Sequence, residues 1–275
     1  MRLAVIETAT GTALVRETGE GRTLLPYADL TELLAQDDWQ SRAQEGGTAA
    51  PADARLAPVA RPSKILCVGL NYRKHIEETG KPVPEHPTLF AKFADSLVGA
   101  TSDIFLPAVS SQTDWEAELG IIIGGAAHRV PVKDALDLVA GYTVVNDVSM
   151  RDWQNRTSQW LQGKTFDRST PVGPVMVTPD ELDHARDLEI TCQIGDETVQ
   201  SGRTSDLLFS TADLVSYISQ FTTLRPGDLI LTGTPSGIGN ARNPKRFLQP
   251  GEVLITRIEG IGELRNRILE ETTTP

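Results

Sequence analysis

The chain has 275 residues, 39% hydrophobic and 23% charged, enough apolar material for one large core with a small appendage. Its 26 basic and 37 acidic residues leave a net charge of −11, and no run of Lys or Arg forms a basic stripe, so neither nucleic acid nor an anionic membrane is expected as a partner. The longest uncharged apolar stretch, LGIIIGGAA, is too short to span a bilayer, and the N-terminal apolar run stops at Glu7 before a signal-peptide core forms. A soluble, cytoplasmic protein is expected.

Residues 2–16 read as two strands around a Thr-Gly turn, and PYADLTELLAQ has helical spacing at Leu30, Leu33 and Leu34. Residues 40–62 are rich in Ala, Pro and Gly without periodicity, which is a linker signature. This places a small N-terminal domain with its linker at 1–60 and the main domain at 61–275. From Lys64 onward strands dominate: KILCVG, TLFAKF, ELGIIIG, GYTVVND, LEITCQI, DLILTG, EVLITRIEG and ELRNRIL. LEITCQI and ETVQS flank Gly195-Asp196, a two-residue hairpin signal. Helices are expected at roughly 71–79, 132–140, 149–161 and 211–222, the last opening on a Ser210-x-x-Asp213 capping-box pattern. Hairpin strands with occasional helices predict a β-rich, mostly antiparallel α+β fold rather than βαβ units. Cys67 and Cys192 lie inside strand-like apolar runs, which predicts buried thiols rather than a disulfide or a zinc site.

The segment DLILTGTPSGIGNAR, residues 228–242, has the look of a dinucleotide fingerprint. Such a fingerprint needs a helix whose N-terminus faces the pyrophosphate. Here Pro244 and Pro250 interrupt any helix beyond the glycines, and only 36 residues remain after Gly239. No NAD(P) is expected, and the glycines are read as bringing backbone close to another ligand.

TDWEAELGIIIGG carries sharper chemistry. On a strand, Glu116 and Glu118 share a face, with Trp115, Ala117 and Leu119 on the other. Two such carboxylates either lie on a solvated face or, if buried, need a cation, and an oxygen-only set suits Mg²⁺ first, with Mn²⁺ or Ca²⁺ as alternatives. Asp147 ends the strand GYTVVND, where a helix is expected to begin; at ~100° per residue, Arg151 and Gln154 would share its face. Lys164 in GKTFDRSTPVGP lacks the neighbours of a charged helix face, and Lys92 sits in the strand TLFAKF between Phe90 and Phe93, although each alone could be a snorkelling surface lysine. His75 and Glu78 stand at i and i+3, which fits a general-base pair or a plain helix-face contact.

Together and in this order, GLNYRKHIEE, PTLFAKF, WEAELGIIIG, GYTVVNDVSMRDWQ, GKTFDRSTPVGP and LILTGTPSGIG resemble the fumarylacetoacetate hydrolase family over roughly residues 62–260. The resemblance implies a β-roll, barrel-like, of mixed sheets with short flanking helices, in homodimers or larger assemblies. It implies a Mg²⁺ or Mn²⁺ site at Glu116, Glu118 and Asp147 and a dyad, His75 and Glu78, on a lid helix that orients water. It also implies that Lys164 stabilises negative charge, that Lys92, Arg151 and Gln154 line the substrate pocket, and that Thr234 contacts the substrate carboxylate. The animal hydrolase's further upstream carboxylate ligand is not placed here, which leaves coordination to be completed by water and substrate.

The function expected first is hydrolysis of a C–C bond in an acylpyruvate-like β-diketo acid through a metal-stabilised enolate. The same site would serve a decarboxylase, or an isomerase or tautomerase, of oxaloacetate-like or unsaturated 2-oxo diacids. A non-catalytic ligand-binding relative is the alternative of another class.

Overall fold

A computed structural model describes residues 1–271. The N-terminal segment forms strands β1 (Arg2–Thr8), β2 (Gly11–Thr18) and β3 (Gly21–Leu24), helices α1 (Leu30–Leu34) and α2 (Trp39–Arg42), and strand β4 (Thr48–Ala49). There follow β5 (Ile65–Gly69), α3 (Arg73–Thr79), β6 (Thr88–Lys92), β7 (Leu97–Val98), β8 (Ile104–Leu106), β9 (Thr113–Asp114), β10 (Ala117–Ile123), α4 (Val132–Ala135), β11 (Val139–Asn146) and β12 (Ser149–Met150). The chain continues through α5 (Arg151–Gln154), α6 (Leu161–Lys164), β13 (Thr170–Val177), β14 (Glu189–Ile194), β15 (Glu197–Arg203), α7 (Thr211–Ser219), β16 (Leu229–Leu231), β17 (Val253–Ile258) and β18 (Gly262–Glu270).

An 11-stranded sheet in the order β4-β3-β2-β1-β13-β11-β10-β16-β5-β6, with β7 beside β13, packs against a 5-stranded sheet in the order β15-β14-β17-β18-β8. Most pairings are antiparallel, as strands joined by hairpins require. Alternation assigns the faces. Leu119, Ile121 and Ile123 of β10 enter the core between the sheets with Ile190, Cys192, Leu254 and Leu264. Ile122 of the same strand joins a second cluster on the far face with Cys67, Val145 and Leu231, which the N-terminal elements cover with Leu3, Leu14, Leu30 and Leu33. Both cysteines are buried free thiols.

Three expectations are revised. TPVGPVMV is absent from the expected strands, yet it forms β13 inside the large sheet; Gly173 pairs Val144 and Val177 pairs Tyr142, so the register slips between them, where Pro174 is accommodated. The helix expected at 149–161 is broken into β12, α5 and α6, since β12 pairs β9 and captures Ser149 and Met150. The stretch at 40–62 is ordered by the sheet it crosses, with Val59 and Ala60 buried and β4 paired to β3. The capping box at Ser210 and Asp213 forms as read. After Gly239 the chain makes one 3-10 turn, Gly239–Ala241, in place of the helix a dinucleotide would need.

Candidate active site

β10 and β11 set the floor of the site. Their antiparallel register places Ala117 opposite Asn146, so Asp147, just past β11, falls beside Glu116, just before β10, and its N–H donates to the Glu116 carbonyl at 2.8 Å. Asn146 fixes the junction, accepting from the Glu116 N–H at 3.0 Å and donating to Thr256 Oγ1 at 2.9 Å. Carboxylate oxygens of Glu116, Glu118 and Asp147 lie within 4.8 Å of one another, all buried.

Three cations meet these acids unevenly. Lys164 Nζ donates to Glu116 Oε2 at 2.7 Å and to Asp147 Oδ2 at 2.8 Å, while Lys92 Nζ donates to Asp147 Oδ1 at 2.6 Å. Arg151 donates through Nε to Asp114 Oδ2 at 2.8 Å, and its Nη2 stands 2.6 Å from Glu116 Oε1, off the hydrogen-bonding direction. Among the described residues Glu118, only 1% exposed, has no cation partner; the Gly233 N–H donates to its Oε2 at 2.7 Å. Burial, with the Asp147 and Glu116 carboxylates nearby, pushes the Glu118 carboxyl well above its ordinary range. Burial acts on Glu116 in the same direction, but Lys164 and Arg151 overcome it and hold that carboxyl down at about 2. Burial opposes the Lys164 charge, yet Asp147 and Glu116 keep its ammonium above the usual range.

Four buried carboxylates, counting Asp114, thus face three cations, and the unbalanced one is Glu118. That donor set fits a hard divalent ion such as Mg²⁺ or Mn²⁺, whose charge would make an ionised Glu118 tolerable.

Above the floor is a cavity of about 410 Å³. α3 brings His75 and Glu78 to its rim, with Nδ1 of the imidazole 2.8 Å from Glu78 Oε2; Glu78 Oε1 accepts from the Gly237 N–H at 2.9 Å. Gly80 ends this helix in the left-handed conformation, at φ 64°. Opposite, Thr234 Oγ1 accepts from Gln200 Nε2 at 2.8 Å, which leaves its own hydroxyl proton to donate. Arg151 Nη1 donates to Gln154 Oε1 at 2.8 Å, and both residues line the cavity with Lys164.

The structure brings nine of the ten expected site residues to the cavity wall or into the carboxylate cluster beneath it. Lys92 is corrected: it is buried behind Asp147 and does not line the cavity, because strand β6 ends beneath the acid cluster. The shared helical face of Asp147, Arg151 and Gln154 is corrected too, since Asp147 precedes β12 and only the other two are on α5. Sequence reading missed Asp114, fully buried, which accepts from Arg151, Gly239 N–H and Asn240 N–H, and Gln200, which ties Thr234 to the Ala117 N–H. Asp114 was visible beside Trp115 in TDWEAE, but nothing local distinguishes it from a surface acid.

A β-rich fold with a buried acidic cluster under a polar cavity has the make-up of an enzyme site. The chain belongs to the fumarylacetoacetate hydrolase family: residues 64–269 match the fumarylacetoacetate (FAA) hydrolase C-terminal domain. It is 47% identical over 216 residues to the mitochondrial oxaloacetate tautomerase FAHD2A of Homo sapiens, covering 78% of this chain and 69% of that one. Among solved structures it resembles a fumarylacetoacetate hydrolase from psychrophilic Exiguobacterium antarcticum, at TM-score 0.87 and 32% identity over 98% of this chain and 100% of the other. It also resembles fumarylpyruvate hydrolase from Pseudomonas aeruginosa in complex with Mn²⁺ and pyruvate, at TM-score 0.70 and 34% identity over 81% and 94% of the two chains. Among the described residues no helix is long and apolar enough to cross a membrane.

Proposed function

We propose that the chain is a divalent-metal-dependent enzyme that moves a proton between C3 and the 2-oxo oxygen of a small 2-oxo acid, an enol–keto tautomerase or isomerase. The observation carrying this reading is the His75–Glu78 pair facing the Glu116–Glu118–Asp147 cluster across one cavity. Similarity to an oxaloacetate tautomerase supports the same reaction class.

A Mg²⁺ or Mn²⁺ ion held by Glu116, Glu118 and Asp147 would act as a Lewis acid toward the 2-oxo oxygen. His75 donates its Nδ1 proton to the Glu78 carboxylate, which leaves Nε2 with the free lone pair a base needs. The acceptor capacity of Glu78 steadies the imidazolium formed when that nitrogen takes a proton from C3. Lys164 supplies fixed positive charge at the cluster, and the Thr234 hydroxyl is free to bind the substrate's 1-carboxylate.

Hydrolysis of a C–C bond in an acylpyruvate is the second reading, favoured by the anchoring of Glu78 to the Gly237 N–H, which would hold the dyad over an attacking water. Paired assays of oxaloacetate tautomerisation and acylpyruvate cleavage with the wild type and His75→Ala separate the two. Tautomerisation should be the faster reaction and should fall by about 10²–10⁴ in the variant, the size of a lost general base. Efficient acylpyruvate cleavage with no tautomerisation would replace the first reading with the second.

A further inference from the structure

The charges in and beneath the cavity are nearly all committed. Lys164 and Lys92 are held by Asp147, Lys164 also by Glu116, and Arg151 is held by Asp114 and Glu116. This buried cluster carries one negative charge in excess, so a divalent ion would turn the balance to one positive charge, which a single substrate carboxylate neutralises. Glu78, the acceptor for His75 Nδ1, adds a further carboxylate and no cation. A second carboxylate on the substrate would meet no compensation from these groups.

One further cation does line the cavity. Lys81, exposed just beyond the Gly80 cap of α3, makes no ion pair among the described residues, and its Nζ lies 5.5 Å from the centre of the Trp160 ring. That ring is held in place. Phe90 meets it edge-on at 5.4 Å, and a Cβ on Gly69 would stand 2.4 Å from it, so the strand end has room for the indole only because residue 69 is glycine. Such a platform gives the lysine stem an apolar surface to lie against and keeps its ammonium at the cavity wall.

We propose that Lys81 recognises a second, distal carboxylate, so that the chain prefers dicarboxylic 2-oxo acids to monocarboxylic ones. This rests on the 2-oxo acid reading above and assigns its substrate class to one residue. Trp160 is the positioning residue that holds Lys81.

The test compares oxaloacetate with its 4-methyl ester, which keeps the 2-oxo acid and masks the distal charge, in wild type, Lys81→Gln, Lys81→Arg and Lys81→Glu. Each pair is followed by enol absorbance and by calorimetric titration. Lys81→Gln should raise KM for oxaloacetate by about fivefold or more at nearly constant kcat, with the ester unaffected. Lys81→Arg should retain the preference for the diacid, and Lys81→Glu should reverse it. Equal effects on both compounds, or none on either, would overturn the assignment to Lys81 while leaving the 2-oxo acid reading standing. A wild type that neither binds nor converts either compound would overturn both.

Discussion

Glu118 and Asp147 are both buried acids of the same cluster, yet removing them should have opposite consequences. Asp147 satisfies Lys92 and Lys164 together, so Asp147→Ala leaves two buried ammonium groups short of a partner and should cost roughly 3–5 kcal/mol. Glu118 has no cation partner among the described residues, so Glu118→Gln, which can still accept from the Gly233 N–H, should leave the metal-free protein as stable as the wild type or more so. Urea unfolding in the presence of chelator measures both. The same Glu118→Gln variant should lose the stabilisation by Mg²⁺ or Mn²⁺ expected of the wild type, about 2.7 kcal/mol at a free ion concentration 100 times Kd. A Glu118→Gln variant that unfolds as easily as Asp147→Ala, or that keeps the full metal response, would refute this division of roles.

At the scale of elements, the site depends on α5 and α6 approaching closely enough to place Arg151, Gln154 and Lys164 around one cavity. Gly163 permits it: a Cβ there would lie 2.3 Å from the Gln154 backbone nitrogen, a clash with main chain that no rotamer relieves. Gly163→Ala should therefore destabilise the fold by about 1–3 kcal/mol and reduce activity further than that loss explains, by displacing Lys164 from Glu116 and Asp147. Thermal melts with kinetics at a temperature where the variant is fully folded separate the two effects. Normal kcat in the folded variant would show that the approach of α5 and α6 tolerates the methyl group.

For the molecule as a whole, the relation of residues 1–60 to the remainder can be tested by truncation. Leu3 pairs Met176 on β13, and Leu14, Leu30 and Leu33 cover an apolar face built from Cys67, Val145, Val172 and Leu231. A chain of residues 61–275 uncovers that face and the β13 edge together, and it should aggregate or lose cooperative unfolding. A monomeric truncated chain with the melting temperature of the intact protein would show that the segment is an independent appendage.

Much of this was determined by the sequence alone wherever the geometry is local. Period-two alternation identified β10 and put Glu116 and Glu118 on one face, three-residue spacing on a helix joined His75 to Glu78, and the prolines after Gly239 removed the dinucleotide helix. Six ordered motifs also identified the family, because their combined spacing is far more specific than any one of them. What only the tertiary structure decided concerns partners remote in the chain. Lys92 and Lys164 reach Asp147 across 55 and 17 residues, Asp114 takes backbone N–H groups 125 and 126 residues away, and Glu118 is left without a cation among the described residues. β13 was hidden for the same reason, since Pro174 is accommodated where the register with β11 slips and Pro171 lies beside β7. Strand and helix periods specify which neighbouring side chains share a face. Which distant charge meets which is set by sheet order and register, and those depend on packing the whole chain at once.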